Sequence, residues 1–371
     1  MSARLPDVVI CAGGGGVGKT TTSAALALAL ARQGRSTLIV TIDPARRLAG
    51  AMGVPITDEV SRVPLAAARG KLSALMPDPR RSLHTFAEQL FEGEPEARAR
   101  MLGNRLYIGL ADATAGVHEL GAMSLVARAA SRGDFEVVVL DTAPSRQAID
   151  FVSYPGRLAA LLGGRTVSWL AGLSQRAAPG NARGKAPGGL LSWGTGHVEH
   201  LLARVTGPHL VKDTARLFGD LAVVRERFVA LTQQASDLLL GPRAAYAMVT
   251  APTAAGRDDV LFLDKRLKKL GRSARALIMN RADPRPPAYA RALSKAPALP
   301  PALAQALALL DEERRSRAEA ADRFAAELKK SLGRIPILRL PQIDAASPDR
   351  IVAALADEIA PAIPSLLPED G

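Results

Sequence analysis

A chain of 371 residues, 48% hydrophobic and 23% charged, can bury a sizeable core, in two domains or in one large α/β domain with insertions. Its formal net charge of +12 is carried mainly by arginine in an alanine-rich chain, so charge alone singles out no partner class. The N-terminus MSARLPD lacks an apolar signal-peptide core, no apolar run reaches the ~18 residues of a membrane span, and the sole cysteine, Cys11, excludes an internal disulfide, so a cytoplasmic protein is expected.

The first apolar run, Val8 to Ala12, leads into GGGGVGKT, Gly13 to Thr20. Gly13, four variable residues, Gly18, Lys19 and Thr20 satisfy the pattern G-x-x-x-x-G-K-[ST] of a phosphate-binding loop. A helical Ala/Leu run, Ser23 to Ala31, completes the strand–loop–helix context. Glycines let backbone N–H groups close around phosphate oxygens, and the helix N-terminus adds a favourable dipole. Gly13, Gly15, Gly16, Val17, Gly18, Lys19, Thr20 and Thr21 are therefore the expected nucleoside triphosphate contacts, with Lys19 reaching the β/γ-phosphates and Thr20 the Mg²⁺.

Thr37 to Ile42 is the second strand, and it ends at Asp43. An acid there can orient or deprotonate an attacking water; a plain turn fixed by Pro44 is the alternative. Leu72 to Met76 is the third strand, and Ser82 to Arg132 reads as helices. Glu136 to Leu140 then runs into Asp141, a strand-end acid suited to holding Mg²⁺, usually through water, and Thr142 to Pro144 begins a loop able to sense a γ-phosphate. Phe151 to Leu240 is again helical, broken by APGNARGKAPGG, Ala178 to Gly189, a mobile surface loop by its composition. The two tryptophans, Trp169 and Trp193, flank that break and either pack as core or present an apolar surface to a partner. Further strands are expected at Tyr246–Thr250, Ala276–Met279 and Ile335–Leu338, and helices at Val260–Leu270 and Ile351–Ile359.

Nearly continuous apolar runs separated by helices predict an α/β fold. The expected architecture is a mostly parallel sheet of about seven or eight strands with helices on both faces and ligands at the strands' carboxyl ends. Residues 1–371 read as a single P-loop domain, with a helical subdomain from insertions at about 82–132 and 151–240. About ten basic residues lie between Lys265 and Lys295 against one acid, Asp283. With only Tyr289 interleaved, a solvated helix face is favoured over nucleic-acid contact. The acidic C-terminal helix, stopped by Pro361, excludes a basic membrane-binding tail.

GGVGKTT, then DPA about 25 residues on, then DTAP about 100 residues further, resembles the ArsA-like family of arsenite-pump and tail-anchored-protein-targeting ATPases, within the deviant P-loop class. LSALMPDP and the NRADP run from Asn280 resemble corresponding segments, so the likeness runs over nearly the whole chain. The resemblance implies a Mg²⁺-dependent ATPase whose nucleotide state opens and closes a dimer, with a hydrophobic client or membrane protein as its cargo. It assigns phosphate and Mg²⁺ binding to Lys19 and Thr20, the catalytic acid to Asp43 and the Mg²⁺ acid to Asp141. Asn280 would read the adenine of ATP, with the loop around Pro341 closing over the base; an ordinary strand-end turn is the alternative for Asn280.

The chain departs from the family in three places. The family's loop carries a lysine where this chain has Gly14, and that lysine reaches across the dimer to stabilise the transferring phosphoryl group. The CxxC zinc site that joins some targeting ATPases is missing, and Cys11 alone cannot replace the thiolates that bind arsenite. A lysine-bearing paralogue in a heterodimer can supply the missing charge, as can Arg46, Arg47 or Arg146 of this chain. Each of these arginines alternatively serves as a solvated surface charge. Two other functions stay open: a partition-type ATPase that binds DNA, and a weakly hydrolysing regulatory subunit. Retention of Lys19, Thr20, Asp43 and Asp141 argues against a pure scaffold.

Overall fold

Strand β1 (Asp7–Gly13) is buried at every position, and the sheet is assembled outward from it. The computed structural model describes residues 7–42, 47–65, 69–105, 107–108, 115–142, 208–283 and 300–367. Contacts divide the chain into one unit of Met1–Pro77, Arg128–Val152 and Leu238–Gly371, and a second of Asp78–Ala127 and Ser153–Asp237.

The first unit holds an eight-stranded sheet. After β1 come β2 (Ser36–Thr41), β3 (Ser61–Val63), β4 (Lys71–Leu75), β5 (Val137–Asp141), β6 (Ala244–Thr250), β7 (Ala274–Met279) and β8 (Ile337–Arg339). Their order is β3-β4-β2-β5-β1-β6-β7-β8, and every pairing is parallel except the edge pair β3–β4. Like β1, β5 and β6 are buried along their whole length, which explains their unbroken apolar sequences. The chain first builds the sheet leftward from β1 and later rightward through β6, so β1 stands at the reversal of strand order, where open α/β sheets place their ligands.

One face of the sheet is covered by α1 (Lys19–Arg32), with α10 (Pro348–Ile359) packed against it. Ala24 to Ala31 of α1 are all buried and meet Val9, Cys11, Ile39 and Val139 of the strands and Val352, Leu355 and Ile359 of α10 in one cluster. The alternate set of side chains, Val8, Ile10, Leu38, Leu140 and Met248 among them, is buried as well. Helix α8 (Ala254–Lys269) packs against β1 and β6 through Val260, Leu263 and Leu267. A short α2 (Arg47–Met52) follows β2.

Two elements depart from the sequence expectation. Strand β3 is a three-residue antiparallel edge, SRV, too short for a period to register. Helix α9 (Pro301–Leu332) is 32 residues long, and its exposed half is supported by i,i+4 ion pairs, Asp311–Arg315 and Glu313–Arg317, more than by an apolar face. Its start is set by Pro300–Pro301 and its end by Gly333, at φ 78°.

The second unit is helical in its described part. It contains α3 (Pro79–Leu90), α4 (Pro95–Leu102), most of α5 (Ala115–Ser131), α6 (Pro208–Val223) and most of α7 (Arg225–Leu240). Asp78 caps α3 by accepting from the Arg81 N–H at 3.0 Å. Leu83, Phe86, Leu90, Phe91, Met101, Leu217 and Phe228 form its core, with Phe86 and Phe228 edge to face at 5.9 Å. Arg100 donates to Asp220 at 2.8 Å, and Asn104 Nδ2 to the Asp213 carbonyl at 2.8 Å. The segment 178–189, Trp169 and Trp193 lie outside the described residues.

Tyr246 is the largest fully buried side chain among the described residues, and its phenol donates to the Leu239 carbonyl at 2.7 Å. Burial raises its pKa well above the ordinary tyrosine value, so the donor stays protonated. Tyr246→Phe is expected to destabilise the fold by about 1–3 kcal/mol by leaving that carbonyl without its donor. Urea unfolding checks this through a lowered midpoint at unchanged slope.

Candidate functional site

At the carboxyl end of β1 the chain must turn sharply and still present backbone N–H groups outward. Gly16 and Gly18 achieve this with φ of 74° and 85°, the left-handed region that a side chain disfavours. Gly18 is also the N-cap of α1, with no side chain to cap the helix and no acid in its first turn. Local sequence has thus left the positive end of α1 to an anion. Lys19 is 6% exposed and Thr20 9%, and both line a cleft of about 160 Å³. Gly14, Gly16, Gly18, Thr21, Arg47 and Ala51 complete that lining. Gly15 is exposed on the loop and Val17 buried beneath it.

Two of the loop glycines are fixed by neighbours. A Cβ on Gly13 would lie 2.1 Å from the Val249 carbonyl oxygen of β6, and one on Gly14 would lie 2.1 Å from Asp259 Oδ2 of α8. Backbone yields only at a cost at the first position, whereas a carboxylate at the end of a side chain gives way easily at the second. The position where the sequence lacks a lysine is thus met by a carboxylate, which sequence spacing gave no means to foresee.

Asp141 ends β5 and has no exposed surface. Strand register pairs it with Cys11 on one side and Thr41 on the other. Thr41 Oγ1 donates to Asp141 Oδ2 at 3.0 Å. Ser23 Oγ, one turn into α1, lies 2.9 Å from the Lys19 carbonyl and 3.4 Å from Asp141 Oδ1, sharing its proton between them. Sequence reasoning found Lys19, Thr20 and Asp141 but not Ser23 or Thr41, whose common trait is a hydroxyl at a position that register and helix phase bring to the acid. Thr142 Oγ1 donates to the Cys11 carbonyl at 2.9 Å, anchoring the first residue of the following loop. Burial pushes the Cys11 thiol up to about 12, so at neutral pH it is neither a nucleophile nor a metal ligand.

Asn280, at the end of β7, comes to the loop from the other side of β1. Its Nδ2 donates to the Val17 carbonyl at 2.9 Å, and its own N–H bonds the Thr250 carbonyl at 2.8 Å. Next to it Arg281 adopts φ 55°, the one described non-glycine residue in the left-handed region. That turn lets Ala282 donate to the Leu340 carbonyl at 2.8 Å, while the Gln342 N–H reaches Asp283 Oδ1 at 2.9 Å. Pro341, half-buried, is held between these two bonds. Asp283 therefore ties the Pro341 segment in place, and Lys268 of the basic run pairs with Asp264 at 2.7 Å. Asp43, Pro44, Arg46, Arg146 and Tyr289 lie outside the described residues. Among the described residues no three His, Cys, Asp or Glu side chains cluster to cage a metal, and no helix is long and apolar enough to cross a membrane.

Residues 7–176 match the family of anion-transporting ATPases. Through that stretch, a little under half of its length, the chain is similar to the ArsA-like ATPase family. Asn280 and Pro341 lie beyond it. The chain is similar to the ATPase GET3 of Malassezia globosa, 35% identical over 150 residues that make up 40% of this chain and 43% of that protein. It is 32% identical over 171 residues to ATPase get3 of Schizosaccharomyces japonicus, covering 46% of this chain and 49% of the relative. To ATPase get3 of Schizosaccharomyces pombe it is 31% identical over 171 residues, 46% of this chain and 48% of the relative. The chain thus spans about half the length of these relatives.

The two glycine environments separate in their response to substitution. Gly13→Ala is expected to cost about 1–3 kcal/mol, because the Val249 backbone must move. Gly14→Lys is expected to leave stability within about 1 kcal/mol, since Asp259 swings aside and pairs with the new ammonium at the surface. Parallel thermal melts of the two variants test the contrast.

Proposed function

We propose that this chain is a Mg²⁺-dependent ATPase, with the triphosphate seated on Gly13–Thr21 and the metal beside Thr20 and Asp141. The observation that carries this reading is Asp141, fully buried yet held by Thr41 and Ser23 directly behind the loop that presents Lys19 and Thr20. Mg²⁺ takes few protein ligands and keeps several waters, which suits one hydroxyl and one strand-end carboxylate better than a cage. Bound there, it would neutralise charge on the β- and γ-oxygens. Lys19 holds the same phosphates from the first turn of α1, and Asp43, just past β2, orients the attacking water.

Asn280 and the Pro341 segment form the base site in this reading. One N–H of the Asn280 amide is committed to Val17, and its Oδ1 remains to accept from an exocyclic amine. That arrangement favours the 6-amino group of adenine over the 6-oxo group of guanine. The family likeness supports a dimer opened and closed by nucleotide, moving a hydrophobic or membrane-protein client. With Cys11 buried and protonated, arsenite is not that cargo.

Phosphate release from ATP by the purified chain is the direct test. Turnover is expected to need Mg²⁺ and to stop with chelator. Lys19→Ala and Asp141→Asn should each lower kcat by about 10²-fold or more, and Asn280→Ala should raise KM for ATP more than for GTP. A chain that neither binds nor cleaves ATP in the presence of Mg²⁺ would overturn the assignment. Light scattering of the purified chain is expected to show a dimer with a non-hydrolysable ATP analogue and a changed hydrodynamic radius with ADP.

A further inference from the structure

A triphosphate keeps net negative charge even with a divalent cation bound, and that charge shifts as the γ-phosphoryl group transfers, so a hydrolysing site gains from a second cation besides the loop lysine. The loop does not supply one. Position 14 is a glycine, and the space where a side chain would begin is held by Asp259 Oδ2, 2.1 Å from a Cβ placed there. Among the described residues that line the cleft, the two charged ones are both cations, Lys19 and Arg47.

We propose that Arg47 is the second phosphate-facing cation of this site, its guanidinium engaging the γ-phosphoryl group of bound ATP during hydrolysis. The inference rests on the ATPase reading above. Arg47 opens α2, the element that follows β2, whose last residue Thr41 holds Asp141. Leu48, Ala51 and Met52 are buried in the core shared with α1, so α2 is seated firmly while Arg47 itself stays exposed at the cleft. Ala51, one turn further on, lines the same cleft, which places Arg47 on the face of α2 toward the loop. A planar guanidinium offers a fork of donors matched to two phosphoryl oxygens, which an ammonium at that place would not.

The test is turnover at saturating Mg²⁺–ATP for Arg47→Ala and Arg47→Lys, with ADP and a non-hydrolysable ATP analogue bound in parallel. Arg47→Ala is expected to lower kcat by about 10²-fold. ADP affinity should be unchanged, and the preference for the triphosphate analogue over ADP should be lost. Arg47→Lys should recover part of the rate, because it restores charge but not the fork. An exposed residue on an anchored helix can be replaced without unfolding, and an unchanged melting curve for Arg47→Ala confirms that. Unaltered kcat and triphosphate preference in Arg47→Ala, with Lys19→Ala inactive, would remove Arg47 from the mechanism and leave the ATPase reading standing. The same unaltered rate, raised only on adding a lysine-bearing paralogue, would place the second cation on a partner instead. A wild-type chain without nucleotide binding would overturn both.

Discussion

The buried carboxylate of Asp141 is the constraint on which the site and much of the sheet depend. An acid with no exposed surface is tolerable only where donors meet it, and here they come from two other elements, Thr41 of β2 and Ser23 of α1. Each donor is delivered by a separate structural condition. Thr41 requires the β2–β5 register to pair it with Asp141, and Ser23 requires α1 to begin at Gly18 so that its second turn faces β5. A slip of one residue in β5 would turn the acid to the opposite face, among Ile10, Leu38 and Leu140, and a slip in β2 would turn Thr41 away from it. Strand register, helix phase and loop length are therefore fixed by one charge.

Helix α1 meets this demand through small side chains. Its run of alternating alanine and leucine is buried almost all round, between the strands on one side and α10 on another. Alanines let the helix approach the sheet closely, and that proximity brings Ser23 within reach of Asp141. The same seating leaves Lys19 and Thr20, at the helix start, nearly buried yet on the wall of the cleft. Polar residues at the first turn and apolar ones thereafter are thus two consequences of one placement: the helix end faces the cleft and its body faces core.

How much of this could be read from sequence differs by the range of the interaction. The loop, its strand and its helix are local, and the pattern Gly13–Thr20 between Val8–Ala12 and Ser23–Ala31 specified them well. The buried strands were legible for the same reason, since burial on both faces leaves unbroken apolar runs at β1, β5 and β6. Their ends moved by a residue or two: β2 stops at Thr41, and β8 begins at Ile337 after Pro336. The edge strand β3 escaped because three residues carry no period, and α9 because charge pairs along its exposed half replace the apolar stripe that would have announced it. In the candidate site the divide is sharper. Lys19, Thr20 and Asp141 are motif residues, whereas Ser23, Asp259 and Asp283 act only through neighbours that are 118, 245 and 59 positions away in the chain, at Asp141, Gly14 and Gln342. No one-dimensional spacing encodes those contacts.

Gly14 shows why such a contact changes the meaning of a motif position. Taken alone, a glycine in place of a lysine is a missing charge that could be restored by substitution. With the Asp259 carboxylate against that position, a lysine introduced there would begin its stem beside an anion and be drawn to it, so the two positions form one electrostatic unit. In the proposed function, the loop then contributes backbone N–H groups and Lys19 to a triphosphate, and little further charge. In the same reading, the remaining phosphoryl charge is met by a cation that the loop does not carry. Helix α2, anchored in the core by Leu48 and Met52, carries Arg47 to the same cleft as Lys19. The chemistry of a single glycine is thus set by two helices, α8, which places a carboxylate against it, and α2, which brings Arg47 to the same cleft.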